Sequence, residues 1–260
     1  MWLLAGGTLA VDGSITARGA NGSSHGGGGS GGSLHLLASL FTGAGSVDAG
    51  GGNFTSGGYG GGGGGGRIAV YQGANTFSGS ISALGGTGRQ AGGAGTVFTK
   101  GTAEARGRLI VDAGNRTGAP TELRAAFWPA GASPRLVVDR KALVHPYGPL
   151  VFTSLELIGG GTMSHDAGTL DLDLQILQDA WIDAASRIDT EAKGHPEGQG
   201  PGASPSVTGG TGGAGHGGRG GEGMSPGRIG GACHGSVTAP AALGSGAGAT
   251  NGYGVGGSGG

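Results

Sequence analysis

The residues with the most chemical potential are the aspartates between positions 166 and 189: Asp166, Asp171, Asp173, Asp179, Asp183 and Asp189. In Leu170-Asp171-Leu172-Asp173-Leu174 the acids alternate with leucines, so a strand would carry both carboxylates on one face. Ca²⁺ is held by several carboxylate and carbonyl oxygens, which makes Asp171, Asp173 and Asp183 candidate calcium ligands. Their spacing matches no calcium-loop pattern, and carboxylates on an outer strand face commonly serve to keep neighbouring sheets apart. The same aspartates together with Arg187 could form the acid/base pair of a polysaccharide-cleaving enzyme.

Other reactive groups are scattered. The histidines, among them His25, His216 and His234, lack metal-site spacing and cysteine partners. Glycine tracts can cradle phosphate, but here no Gly-Lys-Ser/Thr follows them and no helix opens after them. Serines are plentiful without a strained nucleophile turn between a strand and a helix. The expectation is a protein that is not an enzyme and uses no cofactor. Three N-glycosylation sequons, at Asn21, Asn53 and Asn115, lie in loop-like stretches and point to a secreted protein bearing glycans.

The elements that would hold these residues are set by composition. Of 260 residues 70 are Gly, about four times the usual share. Proline numbers only 10 and no strict third-position glycine runs the length of the chain, so collagen is excluded. Simple disorder fits poorly with a net charge of -1 and alternating Leu, Ile and Val. The near-neutral balance also argues against nucleic acid as a partner, and no stretch is long and apolar enough for a membrane span. The lone Cys233 cannot close an internal disulfide and is expected to be buried.

An all-β chain with long glycine-rich loops remains. A phrase of two short strands around a glycine is read at residues 8–19, 33–50, 67–86 and 95–114. Units this small cannot bury an apolar face alone, so they are expected to stack as a parallel β-helix or β-solenoid, with an antiparallel sandwich as the alternative. Residues 1–119 form the glycine-rich part of this reading. Residues 120–190 form a more regular strand region, with strands expected over 150–158 and 170–176 and turns at Phe127-Trp128-Pro129 and His145-Pro146-Tyr147. Residues 191–260 are glycine-rich again, leading into a next repeat or subunit.

Glycine also recurs at third positions. Gly209, Gly212, Gly215, Gly218 and Gly221 would leave one side of a polyproline II-like helix as bare backbone that can pack closely. The run 60–66 is expected to be an ordered excursion packed through Gly60, Gly63 and Gly66.

The rung phrase Gly13-Ser14-Ile15-Thr16-Ala17, the junctions Gly28-Gly29-Ser30-Gly31-Gly32-Ser33-Leu34 and Gly64-Gly65-Gly66-Arg67-Ile68-Ala69-Val70, the turn phrase Ser186-Arg187-Ile188-Asp189-Thr190, and Gly215-His216-Gly217-Gly218-Arg219 carry a likeness. Through them the chain resembles glycine-rich β-helical repeat modules of large extracellular and surface proteins of protists, algae and other aquatic organisms. The resemblance implies a structural or adhesive module without catalytic residues. Residues 209–223 are also similar to glycine-rich antifreeze proteins built from bundled polyproline II helices. The expected function is therefore a structural module of an extracellular filament or surface appendage, assembling with identical subunits or adjacent repeats head to tail. An adhesin or ice-binding module is the alternative, and a carbohydrate-active β-helix enzyme is a third.

Overall fold

The computed structural model describes residues 1–55, 59–129, 131–170, 172–207, 210–224, 228–249 and 255–260. The chain is all-β, with parallel pairing dominant, and the described residues contain one short 3-10 turn, Ala125–Phe127. It divides into two compact units, one of Met1–Met163 with Asp173–Ile188 and the other of Ser164–Leu172 with Asp189–Gly260.

The first half of the first unit contains β1 (Trp2–Ala10), β2 (Ser14–Thr16), β3 (Ser33–Thr42), β4 (Ser46–Asp48), β5 (Arg67–Asn75), β6 (Ser80–Ser82) and β7 (Thr96–Gly101). Long and short strands alternate along the chain, and each kind pairs with its own kind. The long strands β1, β3, β5 and β7 lie side by side in parallel, with Trp2 opposite His35, Leu34 opposite Ile68 and Ile68 opposite Val97. The short strands make a second parallel sheet in which Ile15, Val47 and Ile81 align. Alternation sends Leu34, Leu36, Ile68, Val70 and Val97 to the inner face, where they pack with Val47 and partly buried Ile15 and Ile81.

The second half contains β8 (Arg108–Asp112), β9 (Thr121–Arg124), β10 (Arg135–Asp139), β11 (Leu143–Tyr147), β12 (Leu150–Phe152), β13 (Ser154–Leu157), β14 (Thr162–Met163), β15 (Leu174–Ile176), β16 (Ala180–Ile182) and β17 (Arg187–Ile188). Three parallel groups result, β8-β10-β13-β16, β9-β11-β14-β17 and β12-β15. Their inward residues Val111, Leu123, Leu136, Val138, Val144, Phe152, Leu155, Leu157 and Met163 are buried.

Four expectations need correction. Residues 95–114 do not repeat the earlier phrase, because β7 and β8 pair antiparallel with Phe98 opposite Leu109. The connection between them is a few residues long, enough for a hairpin and far too short for a parallel crossover. Strand direction therefore reverses at this point within one eight-stranded sheet, β1-β3-β5-β7-β8-β10-β13-β16.

The stretch 150–158 is two strands in different sheets, broken at buried Thr153, whose hydroxyl donates to Ser133 O at 2.5 Å. His145-Pro146-Tyr147 is strand, not turn: Pro146 faces Leu123 of β9, while β14 stops opposite Val144, so no β14 partner stands opposite the missing N–H. Among the described residues of the stretch 170–176 only Leu174–Ile176 is strand, limited by its three-residue partner β12, and Leu170 is exposed.

Candidate functional site

The glycine runs of the first unit form two layers of extended segments. One layer comprises residues 17–22, 49–53 and 83–87, the other residues 26–32, 60–66 and 90–95. Within a layer, neighbouring segments exchange bonds such as Gly19 N–H to Gly50 O (2.9 Å), Gly31 N–H to Gly64 O (2.9 Å) and Gly65 N–H to Gly93 O (2.9 Å). Between layers, Gly63 N–H donates to Gly52 O (2.9 Å) and Gly86 N–H donates to Gly63 O (2.8 Å). The three-residue spacing of these bonds is that of a polyproline II helix, which has no internal hydrogen bonds and so depends on neighbours.

Close approach explains why these positions are glycine. A β-carbon on Gly63 would lie 2.0 Å from Gly29 O, one on Gly66 2.0 Å from Gly32 O, and one on Gly60 2.5 Å from the Phe54 ring. Gly62 and Gly65 are equally tight, facing Gly86 O and Ala83 O at 1.9 Å. Third-position reasoning missed these two, because each segment has neighbours on two sides and only Gly61 and Gly64 face outward.

The second unit contains no named strand among its described residues, and its glycine segments are bonded to one another directly, as in Gly215 N–H to Gly202 O (2.8 Å) and Gly220 N–H to Gly231 O (3.0 Å). Gly212 and Gly215 are packed against Ile229 O and Ala232 O, each at 2.5 Å from an added β-carbon, whereas Gly218 and Gly221 face open space. The chain folds back where His216 N–H reaches Gly218 O (2.9 Å), so the packed face passes to Gly220 and Gly223. Gly209 lies outside the described residues.

Buried Ser204 donates to Gly212 O (2.6 Å) and accepts from Gly248 N–H (2.9 Å). Buried Ser245 accepts from Gly202 N–H (2.8 Å) and meets His234 Nε2 (2.9 Å), which meets His216 Nδ1 (3.2 Å). These hydroxyls knit glycine segments together. Cys233 is exposed, contrary to expectation: the small side chains of Ser204 and Ser245, buried in this unit, are ones that hydrogen-bond the glycine backbone.

Two sequon asparagines form a ladder. Asn21 Oδ1 accepts from Asn53 N–H and Asn53 Oδ1 accepts from Thr87 N–H, each at 2.8 Å. Asn53 is half-buried, while Asn21 and Asn115 are exposed.

Among the described residues the aspartates do not converge on a metal site. Asp171 lies outside the described residues, and among the described residues no three His, Cys, Asp or Glu side chains are grouped to hold a metal. Asp183 spends its carboxylate on Gly159 N–H (2.7 Å) and Ala185 N–H (3.0 Å). The Ser186 hydroxyl bond foremost, and then these amide contacts, hold its pKa below the ordinary value. Asp173 is exposed, and its backbone oxygen, rather than its carboxylate, receives Leu150 N–H at 2.9 Å.

Asp48, Asp112 and Asp189 bond the amide two residues on, as Asp183 does. The signal was local, since each of the four follows a Val or Ile at a strand end, the position of an Asx turn. Arg18 and Arg140 then pair with Asp48 and Asp112, and the Asp112 bond raises the Arg140 pKa.

A cleft of about 600 Å³ opens on the outer face of β1, β3, β5 and β7 and is closed on one side by residues 127–129 and 131–134. Register aligns Trp2, His35, Ala69 and Phe98 across these strands, with Leu4, Leu37, Tyr71 and Lys100 in the next row of the same face. The small side chain of Ala69 leaves a gap that Tyr71 spans diagonally. The rings form a continuous row, Trp2 to His35 at 4.4 Å between centroids, His35 to Tyr71 at 5.2 Å and Tyr71 to Phe98 at 5.6 Å. The Arg67 guanidinium lies 4.2 Å from the centre of the Phe127 ring. Sequence reasoning missed this row because its members are some 30 residues apart and meet only through strand register.

Among the described residues no helix is long and apolar enough to cross a membrane. The chain matches no protein-family model, no curated protein and no solved structure.

Proposed function

We propose that this chain is a structural module of an extracellular filament or surface appendage, in which copies join end to end through the outer strands of the eight-stranded sheet. The observation that carries this reading is the character of those strands. β1 and β16 are the two ends of the sheet order, and neither contains a charged residue or proline. Trp2 and Leu4 on β1 are 83% and 73% exposed, and Trp181 and Ile182 on β16 are 63% and 44% exposed. Sheet edges are normally blunted by charge, proline or cover, because unpaired N–H and C=O groups template another strand.

Because direction reverses once, at β7 and β8, β1 and β16 run in opposite senses. A copy translated along the sheet would pair its β1 antiparallel to the preceding β16, with Trp and Leu side chains closing the seam. In this reading the parallel passes before and after the reversal are coils of two short β-solenoids, and the glycine layers are the walls of the first. The exposed sequon residues Asn21 and Asn115 would carry glycans on the outside, in keeping with the likeness to modules of large surface proteins. Electron microscopy and sedimentation over a concentration series test the proposal. Filaments that grow with concentration are expected, and monodisperse single particles at every concentration would overturn it.

A further inference from the structure

We propose that the cleft on the outer face of β1, β3, β5 and β7 binds an acidic polysaccharide chain, through its cations and its partly exposed aromatic row. Among the described residues the charged side chains lining it are Arg67, Lys100 and Arg106, with no aspartate or glutamate. Among the described residues none of the three forms an ion pair with a carboxylate. The acid in the turn leading to Arg106 is Glu104, and it is engaged by Arg135 (3.9 Å) and by Gly101 N–H (3.4 Å). A cleft lined by one sign of charge focuses its field and selects for the opposite sign.

The rest of the lining decides what kind of anion fits. At about 600 Å³ the cleft has the size of a ligand site and exceeds what a small inorganic ion needs. It crosses four strands spaced at about 4.8 Å, a spacing comparable to the rise of one sugar in an extended chain. Trp2 uses one face on His35 and is otherwise exposed, so its second face is free to stack on the C–H face of a sugar ring. Phe127 is also partly exposed and holds Arg67 over its ring, which presents the guanidinium beside an apolar surface. Carboxylate or sulfate groups would meet the guanidinium forks of Arg67 and Arg106 and the ammonium of Lys100. A neutral glycan would leave these cations unmatched. The inference does not rest on filament assembly, because its cations Arg67, Lys100 and Arg106 lie off the β1 edge strand.

Titration calorimetry with oligogalacturonate, a sulfated glucan oligomer and a neutral glucan oligomer of matched length tests the proposal. At least one anionic oligomer is expected to bind, more weakly as salt rises, while the neutral oligomer does not. Binding of the uronate alone or the sulfate alone would support the proposal and identify the anionic group. A Lys100→Gln/Arg106→Gln double variant is expected to lose at least about tenfold in affinity, and Trp2→Ala should also weaken binding. Arg89→Gln, an exposed change in a turn outside the cleft, should leave affinity unchanged. Failure of both anionic oligomers to bind overturns the proposal, as does equal binding of the neutral oligomer. It also falls if the double variant keeps wild-type affinity or if Arg89→Gln weakens binding as much.

Discussion

Gly63 lies so close to Gly29 in the neighbouring segment of its own glycine layer that a β-carbon on Gly63 would sit 2.0 Å from Gly29 O, while its N–H is bonded to Gly52 O of the other layer. Its neighbour Gly64 would place a β-carbon no nearer than 4.0 Å to Gly93 O. Adjacent residues of one homopolymeric run thus have opposite tolerance for a side chain.

Gly63→Ala is expected to destabilise the first unit by roughly 1–3 kcal/mol, the range for overpacking a site without room. Gly64→Ala, at a position without a left-handed backbone, should be neutral or stabilising by about 0.4–1 kcal/mol through the unfolded chain. Denaturant melts of the two variants check the contrast. A flexible linker would show no difference between them.

Filament growth should be interrupted by charge at the seam. Trp181→Lys places an ammonium on an exposed, uncharged edge strand and is expected to leave the fold intact, because the side chain is largely in solvent. Sedimentation should show assembly shifted to higher concentration or lost. An unchanged length distribution would place the junction elsewhere.

The asparagine ladder predicts a site-specific cost. Asn53→Ala removes the acceptor of Thr87 N–H and should lower stability by about 0.5–1.5 kcal/mol. In a secretory host, glycopeptide mass spectrometry should find higher occupancy at Asn21 and Asn115 than at half-buried Asn53.

Asp183 should control the acid behaviour of its turn. Its folded pKa lies below the ordinary 3.8, so its stabilising contribution is present above that value and is lost as pH falls through the lower folded pKa. Hydrogen exchange at Gly159 and Ala185 should therefore stay slow at mildly acid pH and accelerate only below it. Asp183→Asn should make exchange at these two amides faster at neutral pH.

Exposed Cys233 is expected to react stoichiometrically with a thiol reagent in the native protein, without denaturant. Protection of the thiol until unfolding would contradict the placement.

Local pattern alone determined the all-β class and the close packing of Gly60, Gly63, Gly66, Gly212 and Gly215. Strand alternation and bare glycine faces are properties of neighbouring residues, so they are written in the order of the chain. Tertiary structure alone decided the rest. The reversal between β7 and β8 follows from which strands meet, the break at Thr153 from a corner between sheets, and the open faces of Gly218 and Gly221 from a fold-back at His216. Asp183, which the sequence offered as a ligand, is instead bonded to Gly159 N–H and Ala185 N–H, and among the described residues no metal-holding group forms. Trp2, His35, Tyr71 and Phe98 form one row only because parallel pairing brings residues far apart in the chain within a strand spacing of each other.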